Sequence, residues 1–315
     1  MILITGSNGF LGTHLVERLE GKSLSLVERE SFCANSLNRY TQAEIGRSTD
    51  YTDALLDCKV VIHCAARVHI MDDLSIDSLG AYREVNTAGT INLARQAVKA
   101  GVKRFIFISS IKVNGEHSNQ NRPFCSNDPH SFEDFYGQSK SEAELELQRL
   151  SIETGLEVVI IRPTLVYGPG VKANFASLMN LVSKGIPLPF GCITKNKRSL
   201  VSVDNLVDLI ITCIDHPKAA NQVFLVSDDH DVSTAEMVRE LAIALDKPTW
   251  QLPVPIWCYK LFGKLFGKSD IVDRLTGSLQ VDISHTKETL GWKPPQTLQE
   301  GFKQTAQAFL QANNR

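Results

Sequence analysis

The sequence has no apolar run near the roughly 18–20 residues that span a bilayer. Its longest candidate, residues 206–214, contains Asp208 and is bracketed by Asp204 and Asp215. A membrane-spanning protein is therefore not expected. The opening residues MILIT carry no basic region and no cleavage site, so no secretory signal is expected there either. Cysteine is scattered and odd in number: Cys33, Cys58, Cys64, Cys125, Cys192, Cys213 and Cys258 include no CxxC pair. That pattern excludes a disulfide framework or zinc site as the expectation and points to reduced thiols in a cytoplasmic protein. Charge of one sign is missing too, because 33 Lys and Arg face 35 Asp and Glu for a net charge of −2. Neither nucleic acid nor an anionic membrane finds a general electrostatic footprint, though such a balance still permits a local basic patch. No HExxH, GxSxG or P-loop spacing occurs, which removes three common hydrolase and nucleotide-hydrolysis signatures.

What is present is a globular composition, 43% hydrophobic and 22% charged over 315 residues. Short β-rich apolar runs at 2–5, 24–27, 60–64, 105–109 and 158–162 alternate with helical patterns at 82–99 and 133–154 and one carried by Leu11, Leu15 and Leu19. Continuous apolar strands alternating with helices predict an α/β fold, a doubly wound Rossmann-type parallel sheet. Gly101 and Gly155 stand where left-handed helix caps are wanted. After Gly168 prolines break the chain into shorter pieces, with a strand expected at 223–226 and a helix from Ser233 to Leu245. The expected organisation is a dinucleotide-binding domain at 1–168, with a return segment at about 200–227, and a smaller α/β substrate region at 169–315. The echo KLFGKLFG within 254–267 is read as an amphipathic helix covering the core.

The first strand runs into Gly6-Ser7-Asn8-Gly9-Phe10-Leu11-Gly12 and then a helix. In this G-x-x-G-x-x-G turn, Gly6 permits the tight bend, Gly9 lets backbone approach a pyrophosphate, and Gly12 lets helix pack closely on strand. The diphosphate would rest on unpaired N–H groups at the positive helix end. The second strand ends in Glu28 and Arg29. A carboxylate there accepts from both ribose hydroxyls of NAD, whereas an arginine pairs with the 2′-phosphate of NADP; Glu28 leans the choice toward NAD and Arg29 keeps it open.

Tyr136 and Lys140 are four apart on a predicted helix and share a face. A phenol is a poor base at neutral pH, and a nearby ammonium is expected to favour its phenolate, so the pair can move a proton at a sugar hydroxyl. Ser110 ends the buried strand FIFIS-Ser, 26 residues before Tyr136, and could hold the same oxygen.

TGSNGFLG, the pairing of Ser110 with YGQSK, and HCAA at 63–66 together resemble the extended short-chain dehydrogenase/reductases, the family of nucleotide-sugar epimerases, dehydratases and reductases. The resemblance implies that Gly6, Asn8, Gly9, Phe10, Leu11 and Gly12 line the cofactor phosphates and that Ala65 and Ala66 lie near the adenine. It further implies that Asn86 supports the active-site strand beside the cofactor, that Pro163 lies in the cofactor site, and that Ser110, Tyr136 and Lys140 form the catalytic triad. Lys140 would also hold the nicotinamide ribose. Asn174, Arg198 and Arg274 fall where similar proteins hold a nucleotide diphosphate, which suits two guanidinium groups and an amide. The expected activity is transfer of a hydride at C4 of a UDP-sugar by NAD or NADP, as a 4-epimerase or a 4-keto reductase, in a homodimer. Asn114, where many epimerases carry tyrosine, and Leu165, where many carry asparagine, depart from the epimerase pattern. The block 109–116 is similar to 4-keto reductases that make UDP-N-acetylquinovosamine. A dinucleotide sensor or scaffold without catalysis is the alternative, and retention of both Tyr136 and Lys140 argues against it.

Overall fold

A computed structural model of the chain describes residues 1–29, 38–68, 77–119 and 122–313, with the side chains of residues 173, 174 and 270 outside the description. Seven strands, β1 (Ile2–Thr5), β2 (Leu24–Glu28), β3 (Arg39–Gln42), β4 (Val60–His63), β5 (Arg104–Ile108), β6 (Glu157–Pro163) and β9 (Gln222–Val226), form one parallel sheet. Its order is β3-β2-β1-β4-β5-β6-β9. A second sheet joins β10 (Asp231–Val232), β8 (Arg198–Ser202) and β7 (Leu165–Tyr167).

The helices are α1 (Phe10–Arg18), α2 (Thr52–Leu55), α3 (Ser78–Tyr82), α4 (Thr90–Lys99), α5 (Phe135–Thr154), α6 (Ala173–Ser183) and α7 (Val203–Asp215). The chain continues through α8 (Thr234–Ala244), α9 (Ile256–Leu265), α10 (Ser269–Thr276), α11 (Ser284–Leu290) and α12 (Leu298–Asn313). One core layer packs Leu15, Leu206 and Ile210 on one face of the large sheet, and a second packs Leu93, Ala143 and Leu147 on the other. A third cluster around Tyr167, Phe175 and Phe302 backs the small sheet.

The residues of β1, β2, β4, β5 and β6 are buried on both faces, which is why these strands read as continuous apolar runs and not as an alternation. The doubly wound sheet is the architecture expected from the sequence. β3 is an edge strand, half-exposed and polar (RYTQ), so periodicity carries no sign of it. The pattern at 82–99 is helical throughout, but its winding is not uniform: a π-helical segment, Arg83–Gly89, lies between α3 and α4. The 254–267 segment does form a helix, α9, but it does not simply cover the core. Trp257, Leu261, Phe262, Leu265 and Phe266 all point substantially to solvent, and only Gly263 of α9 is buried.

Register fixes where ligands can bind. Thr5 pairs with His63, His63 with Phe107, and Pro163 with Val226, so the strand ends share one edge. The chain turns one way after β1 and the other way into β4, which makes the gap between these strands the switch point where open α/β sheets hold ligands.

Candidate active site

The glycine turn lies at that switch point. Gly6 has φ +67°, and a Cβ there would come within 3.0 Å of the Ala65 backbone, so the residues after β1 and β4 touch only because Gly6 has no side chain. A Cβ on Gly12 would sit 2.0 Å from the Gly6 carbonyl oxygen, so any side chain would push α1 off the turn. Gly9 caps α1 without a side-chain bond, Asn8 and Gly9 face solvent, and the first N–H groups at Phe10 and Leu11 lack intrahelical acceptors. Glu28 is buried and accepts from Ser7 Oγ at 2.6 Å through Oε1, while Oε2 is buried with no partner. An orphaned carboxylate oxygen costs free energy unless another donor meets it, and the hydroxyls of a ribose supply such donors. These residues fit a dinucleotide with two free ribose hydroxyls. Arg29, next along the chain, is exposed.

Behind the turn, a buried histidine is fixed by its neighbours. Thr90 Oγ1 donates to the Asn86 carbonyl at 2.7 Å, so it accepts from His63 Nε2 at 2.9 Å. His63 Nδ1 therefore accepts from Thr5 Oγ1 at 2.6 Å, and that oxygen accepts from the Ala65 N–H at 3.2 Å. Burial first, and then the Lys140 charge, hold His63 down to about 3. It is a neutral strut and not a catalytic base. Asn86 is fully engaged with protein groups. Its amide N–H groups donate to the Arg67 carbonyl and to Ser139 Oγ, both at 3.0 Å, and its oxygen accepts from the Arg67 N–H at 2.8 Å. It stitches the segment after β4 to α5 from within the π-helical segment. Ala66 follows Ala65 half-buried, and Pro163 closes β6 buried beside Val226.

The Ser110 side chain lies close enough to the Tyr136 phenol to favour its ionised form. Two turns position them. Ser110 caps the short 3-10 turn Ile111–Val113 and accepts from the Lys112 N–H at 3.3 Å. Asp134 caps α5 by accepting from the Gly137 N–H at 2.6 Å, and Lys112 Nζ reaches the same carboxylate at 2.5 Å and Glu116 at 2.7 Å. The serine loop and the tyrosine helix are thus tied by one lysine. Lys140 is buried, donates to the Ile108 carbonyl at 2.8 Å and stands 4.4 Å from the Phe107 ring centre.

The expected lowering of the phenol by Lys140 is corrected here. Burial, and then the Asp134 charge, push Tyr136 up to about 12, with the Ser110 side chain opposing. Burial likewise brings Lys140 down to about 8, with Glu144 opposing. The ammonium is committed to a carbonyl and a ring, and the phenol is governed by its own desolvation and by Asp134.

Beneath these groups lies a buried network that the sequence reading missed. Arg162 donates through Nε and Nη2 to Glu144, and through Nη1 to Asn114 Oδ1 at 2.9 Å. Ser109 makes a short hydrogen bond to Glu144, and Nη2 of Arg162 also donates to His130 Nε2 at 2.7 Å. His130 must then be neutral and donate from Nδ1 to Ser141 Oγ at 2.7 Å; burial lowers its pKa accordingly. The available signal was spacing: Glu144 follows Lys140 by four residues, on the same buried face of α5. Asn114, noted as a departure, is the residue that carries Arg162 into this network.

After the 3-10 turn, a cleft of about 260 Å³ is lined by Asn114, Gly115, His117, Phe124 and Glu133 among others. Arg198 donates to the Arg274 carbonyl at 2.8 Å, and its guanidinium is held below its usual range by burial and by the Arg274 charge, with Glu116 opposing. Two neighbouring cations of this kind suit a doubly charged diphosphate. The Asn174 side chain lies outside the described residues. Among the described residues, no group of His, Cys, Asp and Glu could hold a metal ion, and no helix is long and apolar enough to cross a membrane.

A sequence profile of the NAD dependent epimerase/dehydratase family matches residues 2–227. The chain is 72% identical to a UDP-glucose 4-epimerase of Vibrio cholerae, over 100% of this chain and 97% of the relative. It is 29% identical to an N-acetyl-alpha-D-glucosaminyl-diphospho-ditrans,octacis-undecaprenol 4-epimerase of Escherichia coli O157:H7, over 97% and 94%. A crystal structure of a UDP-glucose 4-epimerase with UDP-glucose from Thermotoga maritima superposes with a TM-score of 0.78 at 23% identity, covering 99% of both chains.

Proposed function

The chain belongs to the NAD dependent epimerase/dehydratase family, and within it we propose that it is a UDP-hexose 4-epimerase using NAD. The hydroxyl pair Ser110–Tyr136, on the sheet edge that also bears the glycine turn and the unpartnered Glu28 oxygen, carries this reading. The 72% identical relative is a UDP-glucose 4-epimerase, which favours epimerase over the 4-keto reductase and over a sensor without catalysis.

In this reading the N–H groups of the 6–12 turn, with Asn8, Phe10 and Leu11, hold the NAD diphosphate, and Glu28 accepts from the adenosine ribose. Ala65 and Ala66 flank the adenine, Lys140 takes the nicotinamide ribose, and Pro163 lies beside the nicotinamide. When bound, NAD would supply a hydride acceptor and donor at sugar C4, and the charge of its oxidised ring would favour the Tyr136 phenolate. Ser110 holds the C4 oxygen in line with Tyr136, which removes the hydroxyl proton as the C–H bond breaks. The resulting ketone turns its other face while Arg198, Arg274 and Asn174 keep hold of the diphosphate. Tyr136 then restores the proton, leaving C4 inverted and no net oxidation.

Residues 1–168 with the return at about 200–227 are assigned to the cofactor and residues 169–315 to the nucleotide sugar. A homodimer through α4 and α5 is supported by Leu145 and Ile152, exposed seven residues apart on one face of α5. A cytoplasmic location accords with the free cysteines.

The test supplies purified protein with UDP-glucose and catalytic NAD and follows UDP-galactose. Interconversion without consumption of reduced cofactor is expected. Stoichiometric oxidation of NADH or NADPH with a UDP-4-keto sugar, and no interconversion, would replace the reading with a reductase.

A further inference from the structure

Trp257, Leu261 and Leu265 recur every four residues, so they form one row along α9. They are 66%, 57% and 72% exposed. Phe262 and Phe266 stand beside the row, more than half exposed, with their rings stacked 6.4 Å apart. α9 is seated on α10 by a glycine: a Cβ on Gly263 would come within 2.7 Å of Val272 Cγ2. The large apolar side chains are consequently free to face outward. Between the two helices opens an apolar cavity of about 600 Å³, walled by Val254, Phe262, Phe266, Ile271 and Val272 among others.

The charges on this surface indicate what covers it. Residues 256–268 contain Lys260, Lys264 and Lys268 and no Asp or Glu, in a chain of net charge −2. α10 adds Asp270, Asp273 and Arg274. A second copy of α9 laid on the first would set ammonium groups against ammonium groups, the opposite of a complementary interface. A lipid surface bearing phosphates fits both features. Trp and Phe rings settle at headgroup level, and lysine stems lie along apolar surface while their ammonium groups reach up to anionic headgroups.

We propose that α9 and α10 form a peripheral docking surface for an anionic phospholipid bilayer. Trp257, Leu261, Leu265 and Phe266 enter the headgroup boundary, and Lys260, Lys264 and Lys268 pair with lipid phosphates. Net charge alone gives no footprint for such a membrane because the cationic surface is local and is outweighed by carboxylates elsewhere.

The test is flotation of the full chain with vesicles of phosphatidylcholine alone and of phosphatidylcholine mixed with phosphatidylglycerol, at low and high salt. Flotation on the mixed vesicles only, weakened by salt, is expected. Replacing the three lysines by alanine lowers the partition coefficient on the order of a hundredfold. The double variant Leu261→Glu/Leu265→Glu abolishes flotation yet keeps the native circular dichroism and the turnover of soluble UDP-sugar. In a Trp250→Phe background, which leaves Trp257 as the exposed indole, emission shifts to the blue on mixed vesicles. The proposal is overturned by no flotation on mixed vesicles, by equal flotation on both kinds, or by a double variant that floats like its parent. A drop in solution mass caused by the double variant would show that the face joins two copies instead, and would also overturn it.

Discussion

The guanidinium of Arg162 forks onto the carboxylate of Glu144, with Nε 3.0 Å from Oε1 and Nη2 2.5 Å from Oε2, and both side chains are buried. Removing one partner strands the other charge in the interior. Arg162→Met is therefore expected to cost about 3–5 kcal/mol in urea unfolding. Arg162→Met/Glu144→Leu regains most of that stability, because a well-packed apolar pair replaces the ions. It still lowers kcat at least about tenfold with little change in KM, since Ser109 loses the acceptor that orients the strand end bearing Ser110. A double variant with the parent's kcat would reduce this network to packing.

Tyr136→Phe is expected to lower kcat by about 10²–10⁴ while NAD binding and the fold persist. The pH behaviour follows from burial. Without NAD, tyrosinate absorbance of the parent and of Tyr136→Phe should coincide below pH 10, because the phenol is pushed up to about 12. Added NAD brings a cationic ring to the site, so a difference should then appear at lower pH. Coincident curves with NAD present would remove Tyr136 from contact with the nicotinamide.

Glu28 Oε2 awaits a donor, so Glu28→Ala should weaken NAD by about ten- to a hundredfold in an equilibrium titration, as loss of hydrogen bonds to a charged group does. NADP, whose 2′-phosphate would meet the carboxylate as a like charge, should bind the parent more weakly than NAD and lose less on the substitution. Equal losses for both cofactors would mean that Glu28 only supports Ser7.

His63 links stability to acid. Its folded pKa lies at about 3, below the ordinary 6.5. Between those values only the unfolded chain binds the proton, so the contribution is complete above about 6.5 and is lost as pH falls toward about 3. Against His63→Gln, the parent should lose up to about 1.4 kcal/mol more per pH unit between about pH 6 and 4. Parallel stability curves would show that the buried imidazole protonates in place.

Ile152 is 87% exposed on α5. Ile152→Glu should halve the solution mass measured by light scattering if α5 pairs two copies, while circular dichroism stays native. An unchanged mass would move the interface elsewhere.

The sheet was legible because parallel strands buried on both faces must be apolar throughout, and β1, β2, β4, β5 and β6 all announce themselves in that way. β3 is an edge strand that buries little, so it leaves no pattern. Tyr136 and Lys140 could be placed on one face of a helix from their spacing of four, and Ser110 at the end of an apolar strand, which is where the fold puts them. The Glu144–Arg162–His130 network was not legible, because its members come from a helix, a strand and a loop that only tertiary packing unites. The sign of the Tyr136 shift was missed for a related reason. Spacing reports that an ammonium is near, but only the fold reports that Ile108 and Phe107 already hold it and that both groups are desolvated. The helix at 254–267 was legible as a helix, whereas its outward apolar side depends on the glycine that seats it.

The wide turn of backbone from Arg83 to Gly89 has a consequence for how this helix can tolerate length changes. Such a bulge carries one residue more than an ordinary α-helical turn, and excising one residue would let the helix regularise and gain local hydrogen-bond geometry. The same edit would swing everything before it by about 100° around the axis and tear Asn86 from Arg67 or from Ser139. A shortened chain of this kind would have a better helix and a worse enzyme, its α5 no longer sewn to the strand edge that it serves.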